Sequence, residues 1–350
     1  MLRILVTGAA GLLGGELCKR LLEAGHAVTG LVHRNPTICG NDGQALAIDT
    51  LTGDISQPRF GWEAERFAEV AQAHDLLIHC AATVRFDLAE DDYRAVNVDG
   101  VAHALVLAEA GGMDFLHVST AYVCGIRNGT ISVNDALPGS GPGSGPENAP
   151  EIGFANGYEA SKAAGERLVR ASSVRWAIAR PSIVVGDYET GAIRQFDTTY
   201  AAFKLIAEGR VRQMPARADG TLDFVPLDHV AQGIVLIAER MEDAAGGTYH
   251  LVSGQPLPVT AFAGAIGSYP QFHEPRLVTP EEFDPASLQA LERRLYKRVA
   301  GLYASYFQRD PHFSDTEFRK LSGRGCPPTG PAYIHRLIDH CIAVGFLPAA

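Results

Sequence analysis

The chain has 350 residues, 46% of them hydrophobic and 20% charged, and a formal net charge of -10 at pH 7. That apolar content supplies a packed core and excludes disorder for the bulk of the chain, and the length suits one large domain or a core with a smaller lobe. The acidic balance, with no Lys/Arg cluster, excludes a nucleic-acid surface.

Residues 2–6 form an apolar run rich in β-formers, which predicts a strand buried on both faces. It leads into Gly8-Ala9-Ala10-Gly11-Leu12-Leu13-Gly14, after which Leu13, Leu17, Leu21 and Leu22 recur at helical spacing. Strand, glycine turn and helix in that order form the context that binds a dinucleotide. Gly8 permits the tight turn, and Gly11 lets backbone N–H groups, with those of Ala10, Leu12 and Leu13 beside it, approach a pyrophosphate. Gly14 lets helix and strand pack closely. The spacing is GxxGxxG, not the commoner GxGxxG.

Residues 27–32 read as a second strand ending in His33 and Arg34. A carboxylate there would bond the adenosine ribose hydroxyls. The basic pair suits a 2′-phosphate instead, because a guanidinium fork matches phosphate oxygens. The expected cofactor is therefore NADPH in preference to NADH, the alternative being a solvated arginine at a strand end. Residues 44–48 predict a weaker strand, and Asp54 and Ile55 after it are candidates for the adenine edge, although Asp also suits a turn. Residues 75–80 are a buried strand, and Cys80, Ala81 and Ala82 leave room for a cofactor at its carboxyl end. Residues 89–111 are helical in pattern, opening on a solvated Glu90-Asp91-Asp92. Asn97, polar among valines, is a further cofactor-site candidate, and residues 113–120 make the next strand.

The stretch from Pro138 to Pro150 is rich in glycine, proline and serine, and a mobile flap beside the site is expected there. A helix over 155–171 and a strand over 174–180 follow, with Pro181, Ser182 and Val184 as cofactor-site candidates. Alternating strands and helices imply right-handed crossovers and an α/β fold with a doubly wound, mostly parallel sheet of the Rossmann kind. After Ser182 the alternation fades into helices over 199–208, 227–239, 287–307 and 333–344 and strands over 222–225 and 248–252. The predicted division is a cofactor-binding core carrying the catalytic residues over 1–185 and a smaller substrate-binding lobe over 186–350, some of whose segments return to the core.

Tyr158 and Lys162 fall four residues apart on one face of the predicted helix. That spacing suits a phenol whose proton is transferred and an ammonium that lowers its pKa and bonds the nicotinamide ribose. The fifth strand ends in Ser119 and Thr120 at the carboxyl edge of the sheet. Thr120 is placed to donate to a carbonyl oxygen as charge develops, together with Tyr158. Six cysteines without CxxC spacing and histidines without paired spacing predict no metal site. With no signal sequence and no run of ~18–20 apolar residues, a reduced, cytoplasmic protein without a membrane span is expected.

These residues resemble the extended short-chain dehydrogenase/reductases, with Thr120, Tyr158 and Lys162 matching that family's catalytic Ser/Thr, Tyr and Lys. Within it the chain looks like the branch of fatty acyl-CoA reductases and thioester reductase domains of carboxylic acid reductases. The likeness rests on His79 to Asp87 (HCAATVRFD), Asn97 to Gly100, Val118 to Val123, Arg180 to Gly186 (RPSIVVG), Val225 to Val230, and a tail with Cys326-Pro327-Pro328 and Gly345 to Pro348. It implies reduction of an acyl thioester by NADPH to an aldehyde that is either released or reduced again to an alcohol. The glycine turn departs from the branch in lacking an aromatic residue before its last leucine-glycine pair. The reductase is expected to stand without an adenylation domain, carrier domain or membrane segment of its own, with the acyl group arriving on coenzyme A or a separate acyl carrier protein. The same residues also serve dehydrogenases or reductases of small ketones, sterols or other alcohols, and sugar-nucleotide epimerases. A non-catalytic dinucleotide sensor would have little need of the Tyr158/Lys162 pair.

Overall fold

The apolar runs at the start of the chain form the middle of one seven-stranded sheet. The computed structural model describes residues 1–139 and 153–350. In chain order the strands are β1 (Arg3–Thr7), β2 (Ala27–Val32), β3 (Asp49–Thr52), β4 (Leu76–His79), β5 (Asp114–Val118), β6 (Trp176–Pro181) and β7 (Thr248–Leu251). They lie in the order β7-β6-β5-β4-β1-β2-β3, and each neighbouring pair is parallel. Ile4, Leu5, Leu77 and Ile78 are fully buried, because helices cover both faces of a parallel sheet. Strand order reverses between β1 and β4, where such sheets bind ligands at their carboxyl ends.

On one face, α1 (Leu12–Glu23) packs Leu17, Cys18 and Leu21 against Val230, Ile234 and Val235 of the later helix Leu227–Glu239. On the other, α2 (Ala64–Ala73), α3 (Gly100–Gly111) and α4 (Gly157–Ala171) share a core of Phe67, Val101, Ala104, Phe115 and Val169. A third apolar cluster, including Tyr200, Leu222, Phe262, Tyr303 and Ile338, belongs to the lobe. The lobe is not one continuous stretch: the helix Leu227–Glu239, β7 and the helix Thr316–Ser322 all return to the sheet.

Three expectations need correction. Residues 44–48 hold only an isolated bridge at Ala45, and the third strand lies at Asp49–Thr52. This strand is an edge with three of its four residues exposed, so it carries no apolar run. The helix expected over 287–307 is broken: Ala290–Arg298 ends at Val299 (φ -134, ψ -71), and Ala300–Tyr303 and Ala304–Gln308 follow. Val299 and Gly301 are weak helix formers. The strand expected over 222–225 splits at Asp223 into Thr221–Leu222, antiparallel to Leu257–Pro258, and Phe224–Pro226, parallel to Ile183–Val185. The expected flap lies almost wholly outside the described residues. Among the described residues, no helix is long and apolar enough to cross a membrane.

Candidate active site

The ends of β1 and β4 are interlocked at the switch point. Gly8 has φ +70, and a Cβ there would lie 2.7 Å from the backbone nitrogen of Ala81. Ala81 N–H donates to Thr7 Oγ1 (3.2 Å), which is 3.0 Å from His79 Nδ1. Gly11 N–H donates to Gly8 O (2.9 Å), and a Cβ on Gly14 would fall 2.1 Å from that same oxygen. Helix α1 then starts with no side-chain cap and no acidic residue in its first turn. Main chain packed too closely for any Cβ at Gly8 or Gly14, beside unpaired helix N–H groups and small residues at the end of β4, fits the approach of a dinucleotide pyrophosphate.

The side chains of Ala10 and Leu13 pack toward the sheet, and that of Leu12 packs toward the lobe, so these residues offer a ligand their main chain. His33 and Arg34 are exposed at the end of β2, with His33 Nε2 3.8 Å from Asp54 Oδ2. Burial raises the Asp54 carboxyl, but hydrogen bonds from Ser56 and the charges of His33 and Arg34 hold it below its ordinary value. Ile55 packs beside Gly100, and its carbonyl accepts from His103 Nδ1 at 2.8 Å. Burial pushes the Cys80 thiol up to about 11, which keeps it an uncharged wall of the crevice.

The amide of Asn97 is held by protein partners. The residue sits in a π-helical turn (Arg94–Asp99) and is 1% exposed. It accepts from Thr83 N–H (2.9 Å) and donates to Thr83 O (3.1 Å) and Ser161 Oγ (3.0 Å), and Ser161 in turn donates to Tyr158 O (2.8 Å). Its amide therefore ties the segment after β4 to the helix that carries Tyr158.

Helix α4 is started by Asn156, whose side chain accepts from Glu159 N–H. Strand alternation at the end of β5 separates the two hydroxyls. Thr120 faces a cavity of about 220 Å³ that Tyr158 also lines, while Ser119 is turned toward Glu166. Burial raises the Tyr158 phenol well above its ordinary value, and a hydrogen bond with Thr120 opposes the rise. Lys162 is 2% exposed and donates to Val118 O at 2.7 Å. Burial lowers its ammonium to about 8 against the pull of Cys80 and Glu166. Lys162 thus meets the main chain of β5, and the shift of Tyr158 comes from burial and Thr120. Ser182 Oγ donates to Asp223 at 2.6 Å, and Ser182 and Val184 line the cavity; Pro181 closes β6 beside them.

The rest of the cavity is mostly apolar, with Phe203, Leu222, Phe224 and Phe262 from the lobe, and Asp197 and Thr199 add polar groups to its wall. Phe86 stands over the site, its ring 5.5 Å from Tyr158 and 5.1 Å from Tyr303. Behind α4, Glu166 accepts two hydrogen bonds from Arg180 (2.8 and 2.7 Å), both residues being buried. Beside Tyr158, the buried Glu159 pairs with Arg309, which also donates to Gly125 O (2.8 Å) and lies over Tyr122 and Tyr306. The HCAATVRFD stretch marks the neighbourhood of Phe86, whereas no local pattern marks Arg309, whose partner Glu159 lies 150 residues away.

A family described as Male sterility protein, NAD-binding, matches residues 41–234, a span that starts after the glycine turn. A hybrid PKS-NRPS synthetase of Talaromyces variabilis is 28% identical over 250 residues, which cover 69% of this chain; the chain spans 6% of that relative's length. The terminal R domain from the myxalamid PKS-NRPS pathway superposes with a TM-score of 0.82 at 25% identity, covering 99% of this chain and 92% of that one. A thiolation-reductase di-domain from an archaeal non-ribosomal peptide synthetase shares the fold, with a TM-score of 0.70 at 20% identity over 98% of this chain and 75% of that one.

Proposed function

The chain belongs to the Male sterility protein family of NAD-binding proteins and is an NAD(P)-dependent oxidoreductase of the extended short-chain dehydrogenase/reductase type, and on that premise we propose that it reduces an acyl thioester with NADPH. The observation that carries the reading is the meeting of Thr120 and Tyr158 with an apolar cavity at the carboxyl end of β5. A cavity lined mainly by phenylalanine, tyrosine and aliphatic residues, with Asp197 and Thr199 on one wall, suits an acyl chain with a polar group or two. The main chain of Gly8, Gly11 and Gly14 would hold the pyrophosphate, Arg34 with His33 the 2′-phosphate, Asp54 and Ile55 the adenine edge, and Lys162 the nicotinamide ribose. Likeness to a reductase joined to a thiolation domain favours an acyl group carried on a phosphopantetheine thiol, of a carrier protein or of coenzyme A.

The nicotinamide, when bound, supplies hydride to the acyl carbon. Tyr158, kept protonated by its raised pKa, and Thr120 donate hydrogen bonds to the carbonyl oxygen, where negative charge develops. The resulting hemithioacetal loses its C–S bond, and aldehyde and thiol leave with the net uptake of one proton. A second hydride and proton would carry the aldehyde to an alcohol. The test is NADPH absorbance against acyl-coenzyme A thioesters, acyl carrier thioesters, aldehydes and ketones, with free thiol titrated in parallel. Thioester-dependent oxidation with one thiol released per aldehyde is expected. Oxidation by ketones alone would leave the cofactor reading intact and overturn the thioester.

A further inference from the structure

We propose that Arg194, carried by the loop after the strand Ile183–Val185, is the cationic contact for the cofactor's pyrophosphate, a role that rests on the dinucleotide reading above. Arg194 lies 183 residues from the glycine turn, yet its Nη2 donates to Gly11 O at 3.1 Å. Gly11 is the N-cap of α1, so the guanidinium stands beside the N–H groups that this helix leaves unpaired. Arg194 is half-buried, so part of its guanidinium is reachable from the cradle, while Nε is covered and has no hydrogen-bond partner.

The surrounding loop is built to hold this position. Asn41 accepts from Arg194 N–H (2.9 Å), donates through Nδ2 to Ala192 O (2.9 Å), and gives its own N–H to Glu16 Oε2 (2.9 Å). Asp187 N–H closes the loop on Ala192 O (2.8 Å), and Asp187 Oδ1 accepts from Thr190. Gly191, at φ +68, is wedged so that a Cβ would fall 2.2 Å from Arg336 O. A planar guanidinium fixed at the mouth of a phosphate cradle matches the fork geometry of phosphate oxygens.

The pyrophosphate is common to both dinucleotides, which separates Arg194 from Arg34. Calorimetric titration of ADP-ribose, NADH, NADPH and 2′-AMP into wild type, Arg194→Ala and Arg194→Lys provides the test. In Arg194→Ala, ADP-ribose, NADH and NADPH should weaken by one shared factor, about tenfold or more, and Arg194→Lys should regain part of it. Binding of 2′-AMP, which lacks the pyrophosphate, should be unchanged and reports that the variant site is intact. Unchanged ADP-ribose affinity, a loss confined to NADPH, or an equal loss for 2′-AMP would each overturn the assignment. A wild type that binds no ADP-ribose would overturn it together with the dinucleotide reading.

Discussion

Arg309→Met removes the charge from the buried pair beside Tyr158 while keeping most of the side chain that lies over Tyr122 and Tyr306. Arg309 is 4% exposed and Glu159 fully buried. Without the guanidinium, the Glu159 carboxylate keeps only main-chain donors, such as Ala155 N–H at 3.1 Å. Breaking one side of such a buried pair costs about 3–5 kcal/mol, because a charge is left desolvated and unpaired. For 350 residues the entropy of unfolding is about 0.7 kcal/mol per kelvin, so the melting temperature should fall by about 4–7 °C. Glu159→Gln combined with Arg309→Met should recover much of that loss, since neither charge then remains buried. Differential scanning calorimetry of the two single variants and the double variant closes the cycle. A single-variant loss below about 1 kcal/mol, the range of exposed ion pairs, or a double variant as unstable as the sum of the singles, would refute the reasoning.

Tyr158→Phe should lower turnover by a factor on the order of 10² or more while leaving NADPH binding nearly intact; stopped-flow rates close to wild type would remove Tyr158 from its role. Arg34→Ala should weaken NADPH far more than NADH, measured by quenching of protein fluorescence, since only NADPH carries the 2′-phosphate; equal losses would return Arg34 to the solvated surface. Lys162, lowered by burial to about 8, is charged below that pH and neutral above it. kcat/KM should therefore fall as pH rises through about 8, and Lys162→Arg, which stays charged, should abolish that alkaline limb; a limb near the ordinary lysine value would contradict the desolvation.

The cofactor half of the molecule was legible because its signals are local. Two-faced burial makes β1, β2, β4, β5 and β6 read as apolar runs, and Gly8, Gly14, Thr120, Tyr158 and Lys162 announce themselves by spacing within one turn or strand end. Where a strand lies at an exposed edge, as with Asp49–Thr52, the sheet's hydrogen bonds hold it without an apolar pattern. The broken helix over 290–308 keeps a helical pattern because Tyr296, Ala300, Tyr303 and Tyr306 all face the lobe's core. Spacing alone does not show the interruption at Val299. Asn97 stands out as a polar residue among valines, but its partners Thr83 and Ser161 come from separate elements, so its hydrogen bonds are not readable from local sequence.

The substrate half depends on pairings that no local pattern encodes, and their placement has a mechanical logic. The lobe's apolar cluster takes in Leu12, Phe86, Ala121 and Tyr122 of the sheet half, and two charged anchors add to that packing. Arg309 ties the lobe to Glu159, next to Tyr158, and Arg194 ties it to Gly11 at the glycine turn. Each anchor lies close in sequence to residues that line the cavity: Asp197, Thr199 and Tyr200 after Arg194, and Tyr306 and Phe307 before Arg309. An anion drawn to Arg194 would therefore act on the loop that leads into the acyl wall, and a shift at Arg309 would act on the opposite wall and on the start of α4 together. In the proposed reaction cofactor and acyl group would then share one frame, the arrangement hydride transfer requires when two bound partners must meet at one carbon.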